Sequence, residues 1–248
     1  MIEDYLEQDT LNDKVTTIVN VSGGLECFAA LWWAKERGLN AVGLHLYNNP
    51  HKTLGKEAEL YYAKKQCEFF KFPLVVDVNT IPQKFPLRYP VNQHISAAIS
   101  LILGHPDNKW EYLVWGANAD DSFAQRLQLR YPMRAIFAQK SAQLDIHGVS
   151  AGTILQAPIN IFPFETLQKS EVMAMLAKNI FKKDVYPSTG IWYCLSDEVE
   201  KTEEGYKPCG KCEKCIEWQS SVDIANRSWF KQQEGTFRRK LPEQEWIE

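Results

Sequence analysis

The sequence predicts a doubly wound parallel α/β sheet with helices on both faces, followed by a small C-terminal zinc-binding region. Three observations lead there. Short apolar runs alternate with helical stretches through the first two thirds of the chain. A glycine turn, Val21-Ser22-Gly23-Gly24-Leu25-Glu26-Cys27, follows the first run. Four of the six cysteines, Cys194, Cys209, Cys212 and Cys215, crowd one C-terminal stretch.

The elements can be justified in order. Thr16 to Val21 is a β-branched run that reads as the first strand, and Leu25 to about Arg37 as a helix closed by Gly38. Ala41 to Tyr47 is a second strand, about Gly55 to Phe70 a helix, and Pro73 to Val78 a third strand. Asn92 to Leu103 is helical and stopped by Gly104 and Pro106; Tyr112 to Gly116 is a fourth strand. A helix is expected over residues 134–146, ended by Gly148. Thr153 to Ile159 is strand-like, and Thr166 can cap a helix running to about Lys178. Apolar strands alternating with helices call for a parallel sheet covered on both faces. After about Val185 the composition turns to Pro, Gly, Cys and charge, so the division expected is an α/β domain over 1–185 and a metal-binding region with a tail over 186–248.

The chain has 248 residues, 45% hydrophobic and 24% charged, which suits a globular protein. No apolar run of 18 residues occurs, so no membrane span is expected. The net charge of −3 gives no overall attraction to nucleic acid. Phe237-Arg238-Arg239-Lys240, the one dense basic cluster, reads as a solvated tail. The acidic start Met1-Ile2-Glu3-Asp4 resembles no secretory signal, so a cytoplasmic location and reduced cysteines are expected. Most of the eight tryptophans fall where core is expected, Trp32 and Trp33 on the first helix and Trp115 on a strand; Trp192, beside Cys194, stands apart.

The cysteine spacing is C-x14-C-x2-C-x2-C. A structural zinc ion takes four thiolates in a tetrahedron, and a C-x2-C step turns two sulfurs inward from one loop, with Gly210 supplying the tight backbone. Cys215 adds a third ligand and Cys194 closes the site from another segment. No position is left open, so the ion would be structural; buried thiols without a metal are the plain alternative. Cys27 and Cys67 lie outside the cluster.

Ser22-Gly23-Gly24, between a strand and a helix, suits an anion: backbone N–H groups face it and the helix dipole favours it. It is neither a Walker A loop nor a G-x-G-x-x-G fingerprint, and Ser-Gly-Gly also serves as an ordinary strand–helix turn. In a doubly wound sheet ligands bind at the carboxyl ends of the strands, which places the turn, Leu46-Tyr47 and Gly116-Ala117-Asn118 on one rim.

The turn resembles Ser-Gly-Gly-x-Asp-Ser, the pyrophosphate loop of the N-type ATP pyrophosphatases. Within that superfamily, Trp192-Tyr193-Cys194 and the run from Lys207 to Cys215 look like the tail of the QueC family, the 7-cyano-7-deazaguanine synthases. Trp115 to Asp121 resembles that family's G-x-N-x-x-D stretch, Tyr131-Pro132-Met133-Arg134 its Y-P-x-x-R, Ala157-Pro158-Ile159 its A-P-[LI], and Gln168 to Val172 its T-K-x-E-I. The resemblance spans roughly residues 14–220. There are departures: Glu26 and Cys27 replace the loop's Asp and Ser, an arginine-bearing element is reduced to Val91-Asn92-Gln93-His94, and the stretch between Cys194 and Cys209 is longer and acidic.

The resemblance implies that a 7-deazaguanine carboxylate attacks the α-phosphate of ATP, with magnesium as counter-ion, zinc at the four cysteines, and ammonia as acceptor on the way to a nitrile. It makes Val21, Ser22, Gly23, Gly24, Glu26, Cys27 and Leu46 the nucleotide contacts. Glu26 would hold magnesium and Lys169 would neutralise phosphate charge. Arg134 would pair with the substrate carboxylate, and Asn118, Asp120, Asp121 and Trp192 would line the base. Plainer roles stay open: a solvated lysine at 169, an ion-paired Arg134, turn or cap roles for Asn118, Asp120 and Asp121. Cys27 reads as packing or a weak phosphate contact rather than a nucleophile. His45 reads as structural, and His51 and His94 stay open. A protein N-terminal amine is the alternative acceptor, which the acidic insert would suit, and a non-catalytic nucleotide-binding scaffold is a third reading. A homodimer is compatible with the sequence.

Overall fold

The computed structural model describes residues 11, 14–48, 53–79, 97–98, 100–102, 104–105, 108–120, 158–181 and 190–233. Strand β1 (Thr17–Asn20) leads into helix α1 (Leu25–Glu36), β2 (Ala41–Asn48), α2 (Leu54–Phe70) and β3 (Leu74–Asn79). Then come β4 (Tyr112–Val114), β5 (Ile159–Ile161) and α3 (Lys169–Leu176), with a π turn over Ala177–Phe181. A hairpin of β6 (Glu200–Thr202) and β7 (Gly205–Lys207) precedes α4 (Glu213–Gln233).

The five long-range strands form one sheet in the order β3-β2-β1-β4-β5, every pair parallel. The α/β prediction therefore holds. Alternation along the strands explains why both faces are covered. Ile18, Val42, Leu44, Val75 and Leu113 point to one side, with Ala98, Leu101 and Ile102 packed there. Val19, Ala41, Val76 and Val114 point to the other, against α1, α2 and α3. Each of the valine, leucine and isoleucine side chains among them contributes about 1.5–3 kcal/mol when fully buried.

The helix ends follow from local chemistry. Gly38, at φ +63°, takes the left-handed position after α1; its N–H bonds Lys35 O at 3.0 Å and Leu39 N–H bonds Ala34 O at 3.1 Å, a Schellman closure. Thr53 caps α2, accepting from the Lys56 N–H. Gly43 lies where a Cβ would stand 2.4 Å from Cys67 Sγ, so the strand's missing side chain is the pocket for that buried thiol.

Three boundaries differ from the sequence reading. The fifth strand starts at Ile159 rather than ending there: Pro158 has no N–H for a ladder, and Ile159 N–H is the first to pair, with Glu111 O at 2.8 Å. The cap of α3 is Gln168, not Thr166, because the Gln168 N–H is taken by the Glu171 carboxylate at 2.9 Å. That helix becomes a π turn after Leu176. Residues 92–96, 134–148 and 153–157, with His51, His94 and the basic stretch 237–240, lie outside the described residues. No helix among the described residues is long and apolar enough to cross a membrane.

The strand order reverses between β1 and β4, and the loops leaving those two strands part there. Gly116, just past β4, meets the first turn of α1 so closely that a Cβ would lie 2.6 Å from the Glu26 carbonyl carbon. Gly116→Ala is accordingly expected to lower stability by about 1–3 kcal/mol, read from urea unfolding, because backbone must move to admit the methyl.

Candidate nucleotide and metal sites

The turn after β1 sits at the reversal. Gly23 has φ +81°, and a Cβ there would meet Glu59 O at 2.8 Å and Tyr62 Cβ at 2.9 Å, so only glycine fits. Its carbonyl accepts from the Trp192 N–H at 2.7 Å and from Gln66 Nε2 at 2.6 Å. Gln66 also donates to Gly190 O at 2.9 Å, tying the turn to α2 and to the strap leading to Cys194. Val21, behind the turn, bonds Leu44 O through its N–H, and its carbonyl lies 2.9 Å from His45 Nδ1, which gives that buried histidine a structural partner.

Gly24 is the N-cap of α1 and carries no side-chain cap, so the helix start keeps its donors toward the rim. A Cβ built on Gly24 would stand 3.5 Å from Glu26 Oε2, 3.6 Å from Ser22 Oγ and 3.7 Å from Trp192 O. Oxygen atoms from the turn, the first turn of α1 and the strap thus lie beside this glycine, a donor set suited to a divalent ion.

Glu26 is held from below by Asn118, whose Nδ2 donates to Oε1 at 2.8 Å. Asn118 Oδ1 accepts from the Asp120 N–H at 2.8 Å, and Asp120 Oδ2 accepts from the Lys169 N–H at 2.7 Å, capping α3. Lys169 Nζ returns to Glu26 Oε1 at 3.4 Å, which closes a ring of side chains from α1, the β4 loop and α3. Lys169 also meets Glu217 Oε1 at 2.5 Å, from α4. Burial alone would lower the lysine's pKa, but the Glu26 and Glu217 carboxylates outweigh it and hold the ammonium above its ordinary range. Glu217 is correspondingly lowered: burial raises it, and Lys169 and Lys214 win.

Cys27 Sγ lies 3.3 Å from the Ser22 N–H and 3.4 Å from Ser22 Oγ. Desolvation pushes its thiol up to about 11, against the lowering effect of Ser22. It is a neutral thiol filling the floor of the turn, not a thiolate nucleophile.

The structure therefore brings together Val21 to Gly24, Glu26, Cys27, Asn118, Asp120, Lys169 and Trp192. Asn118 and Asp120 are engaged in holding Glu26 and capping α3. Leu46, on β2, is half-buried and packs against the opposite core. Arg134, Asp121 and the Tyr131-Pro132 stretch lie outside the described residues. Gln66 and Glu217 escaped the sequence reading. Both are polar residues on amphipathic helices with no motif around them, and only tertiary packing gives them partners.

Trp192 is buried and stacks on Tyr62 at 5.5 Å between ring centroids. On the outer side of its strap, a cleft of about 680 Å³ is lined by Tyr61, Tyr62, Phe69, Trp192 and Tyr206.

Two residues beyond Trp192 the chain reaches the cysteine cluster. The four sulfurs lie within 4.8 Å of one another. Cys194 is 3.5 Å from Cys209 and 3.8 Å from Cys212; Cys215 is 3.9 Å from Cys209 and 3.5 Å from Cys212. Thiolates about 2.3 Å from one tetrahedral ion stand about 3.8 Å apart, so the set fits a single metal ion. A multinuclear iron–sulfur cluster would place several irons and sulfides between the thiolates and needs wider spacing. Gly210, at φ +73°, makes the turn between Cys209 and Cys212. Burial would raise the Cys212 thiol, but backbone N–H groups around it bring it down to about 6, ready for a cation. Tyr193 stacks on Trp218 at 4.4 Å and fixes α4 against the strap.

No protein-family model and no curated protein matches the sequence. Among solved structures, the chain is similar to U34-tRNA thiolase NcsA from Methanococcus maripaludis, described with its [4Fe-4S] cluster. The TM-score is 0.48 at 14% identity, covering 95% of this chain and 77% of that one. It is also similar to NMN synthetase from Francisella tularensis, with a TM-score of 0.32 at 12% identity, covering 93% and 90%. Both likenesses are remote, and the function rests on the geometry of the site.

Replacing Cys212 by serine is expected to abolish stoichiometric metal binding, read by elemental analysis of purified protein. It should also lower the melting temperature, since the strap from Gly190 to Cys194 and the start of α4 would lose their shared anchor.

Proposed function

We propose that this chain is an ATP-dependent adenylating enzyme of the N-type pyrophosphatase kind, acting on a 7-deazaguanine carboxylate, with structural zinc at the four cysteines. In this reading residues 1–185 supply the nucleotide site and 186–248 the metal and the outer wall. The observation that carries it is the convergence of the Ser22–Cys27 turn, Glu26 and Lys169 at the reversal point of a doubly wound sheet. The QueC-like spacing of the cysteine tail supports the choice of substrate class.

The substrate carboxylate attacks the α-phosphorus of ATP, the α–β bridging bond breaks, and pyrophosphate leaves while an acyl-adenylate forms. The Gly23 N–H and the first N–H groups of α1 receive the pyrophosphate charge, and the α1 dipole adds to them; the Ser22 N–H, which donates to Cys27 Sγ, would have to turn from the thiol to join them. Lys169, an ammonium at all ordinary pH values, offsets the charge building on the transferred group. Glu26, fixed by Asn118, is the residue that would hold magnesium, which neutralises the phosphates when bound. Ammonia attacks the adenylate and releases AMP with an amide. A second adenylation of the amide oxygen, followed by loss of AMP and a proton, leaves the nitrile.

A second reading changes only the acceptor. The segment between Cys194 and Cys209 folds into the hairpin β6–β7, whose exposed Glu200 and the neighbouring exposed Glu203 and Glu204 offer an acidic surface that suits a protein N-terminal amine. Incubation of metal-loaded protein with MgATP, 7-carboxy-7-deazaguanine and ammonium, followed by mass spectrometry, should give AMP and the nitrile. Lys169→Met should lower the rate by about 10²–10³-fold. AMP with a carboxyl adenylate that ammonium does not consume favours the protein acceptor. No AMP under any condition removes the enzyme reading for this substrate and favours a binding role.

A further inference from the structure

We propose that Glu217 is a positioning residue that draws Lys169 away from Glu26, so that Glu26 can take the divalent cation bound with a nucleotide's phosphates. The inference rests on the nucleotide reading above. Three facts carry it. Lys169 Nζ stands between two carboxylates from different helices, 2.5 Å from Glu217 Oε1 and 3.4 Å from Glu26 Oε1. The lysine is largely enclosed, with 15% of its side chain exposed, so its ammonium has little water to turn to and its place is set by these partners. Glu217 is itself held: its second oxygen accepts from Lys214 at 2.6 Å, and its helix is fixed by Cys215 in the metal cluster and by Trp218 stacked on Tyr193.

The consequence is a competition. An ammonium held tightly on Glu26 weakens that carboxylate's hold on a divalent cation, because the two positive charges repel at short range. Without the Glu217 charge, Glu26 is the other carboxylate in an ion pair with the Lys169 ammonium among the described residues, and the lysine would close the 3.4 Å gap to it. The cation would then have to displace an ion pair. With Glu217 in place, Lys169 is shared: its shorter contact is to Glu217, and its contact to Glu26 Oε1 stays at 3.4 Å, so Glu26 is only weakly engaged by the ammonium. The residue two positions after a cysteine ligand thereby transmits the order of the metal-bearing helix to the nucleotide site.

The test is Mn²⁺ titration of the metal-loaded full chain in the presence of α,β-methylene-ATP, with free Mn²⁺ read by electron paramagnetic resonance. Glu217→Gln should raise the half-saturating Mn²⁺ by about tenfold, about 1.4 kcal/mol. Glu217→Asp, which keeps the charge, should stay within about threefold of wild type and shows that the site tolerates substitution. In a Lys169→Met background, Glu217→Gln should have no further effect, because there is no lysine left to move onto Glu26. A merely structural role for Glu217 would give the same loss in both backgrounds and overturns the proposal, as does a Glu217→Gln protein that binds Mn²⁺ as wild type does. If wild type takes up no Mn²⁺ with the analogue, the nucleotide reading itself fails and this inference falls with it.

Discussion

The carbonyl of Gly23 is the point on which the site depends. Gly23 lies in the turn between β1 and α1, where no sheet neighbour pairs its carbonyl, and with φ +81° the chain turns there in a way that favours glycine. The carbonyl is shared by a backbone donor from the strap, Trp192 N–H, and a side-chain donor from α2, Gln66 Nε2. Two charge-neutral hydrogen bonds of about 1 kcal/mol each are modest. Their effect is positional: with the carbonyl occupied behind the turn, the opposite side of the same backbone is left toward the rim, where an anion can meet N–H groups and the start of α1. Removing one donor leaves the carbonyl satisfied by the other; removing both leaves a buried carbonyl unpaired, which costs more than the bonds contributed.

The same constraint joins the two halves of the molecule. Cys194 lies two residues from Trp192 and Cys215 two residues from Glu217, so the cysteine cluster reaches the turn by the strap and reaches Lys169 by α4. A structural ion bound there orders no reactive group by itself. It would tie the strap, whose Ile191 and Trp192 are buried, to the first turn of α4 beside buried Trp218, and each segment presents one donor or acceptor to the nucleotide side. That division of labour explains why a closed four-thiolate site, with no open position for substrate, is found beside the candidate nucleotide cradle.

Much of this was legible in the chain. Short apolar runs located β1, β2 and β4, the first and third of them ending in glycine turns, since buried parallel strands need apolar residues on both faces. The cysteine spacing anticipated four sulfurs that do converge. Legibility failed where tertiary contact, not local pattern, decides. Gln66 looks like any helical glutamine until α1 and the strap arrive beside it, and Glu217 is one of several charges at the start of α4. The cap of α3 was misplaced because threonine at 166 has the better intrinsic capping propensity, whereas the Glu171 carboxylate and Asp120 select the turn at Gln168 and Lys169. Thr153 and Ile154, the β-branched residues behind the expected fifth strand, lie outside the described residues; within the described part Pro158 has no N–H to offer, and pairing begins at Ile159. Asn118 and Asp120 read as base contacts from motif likeness; in the folded chain their side chains serve Glu26 and α3.

The central claim is that this site breaks ATP between its α and β phosphates in response to a carboxylate. Exchange of radiolabelled pyrophosphate into ATP measures that step alone, without dependence on the acceptor. The account predicts label in ATP when the metal-loaded protein is given magnesium and 7-carboxy-7-deazaguanine, with little exchange when the carboxylate is omitted. Release of ADP and inorganic phosphate with no label entering ATP would contradict it, since cleavage would then fall at the γ-phosphate and the Gly23–Gly24 turn would hold a different part of the nucleotide.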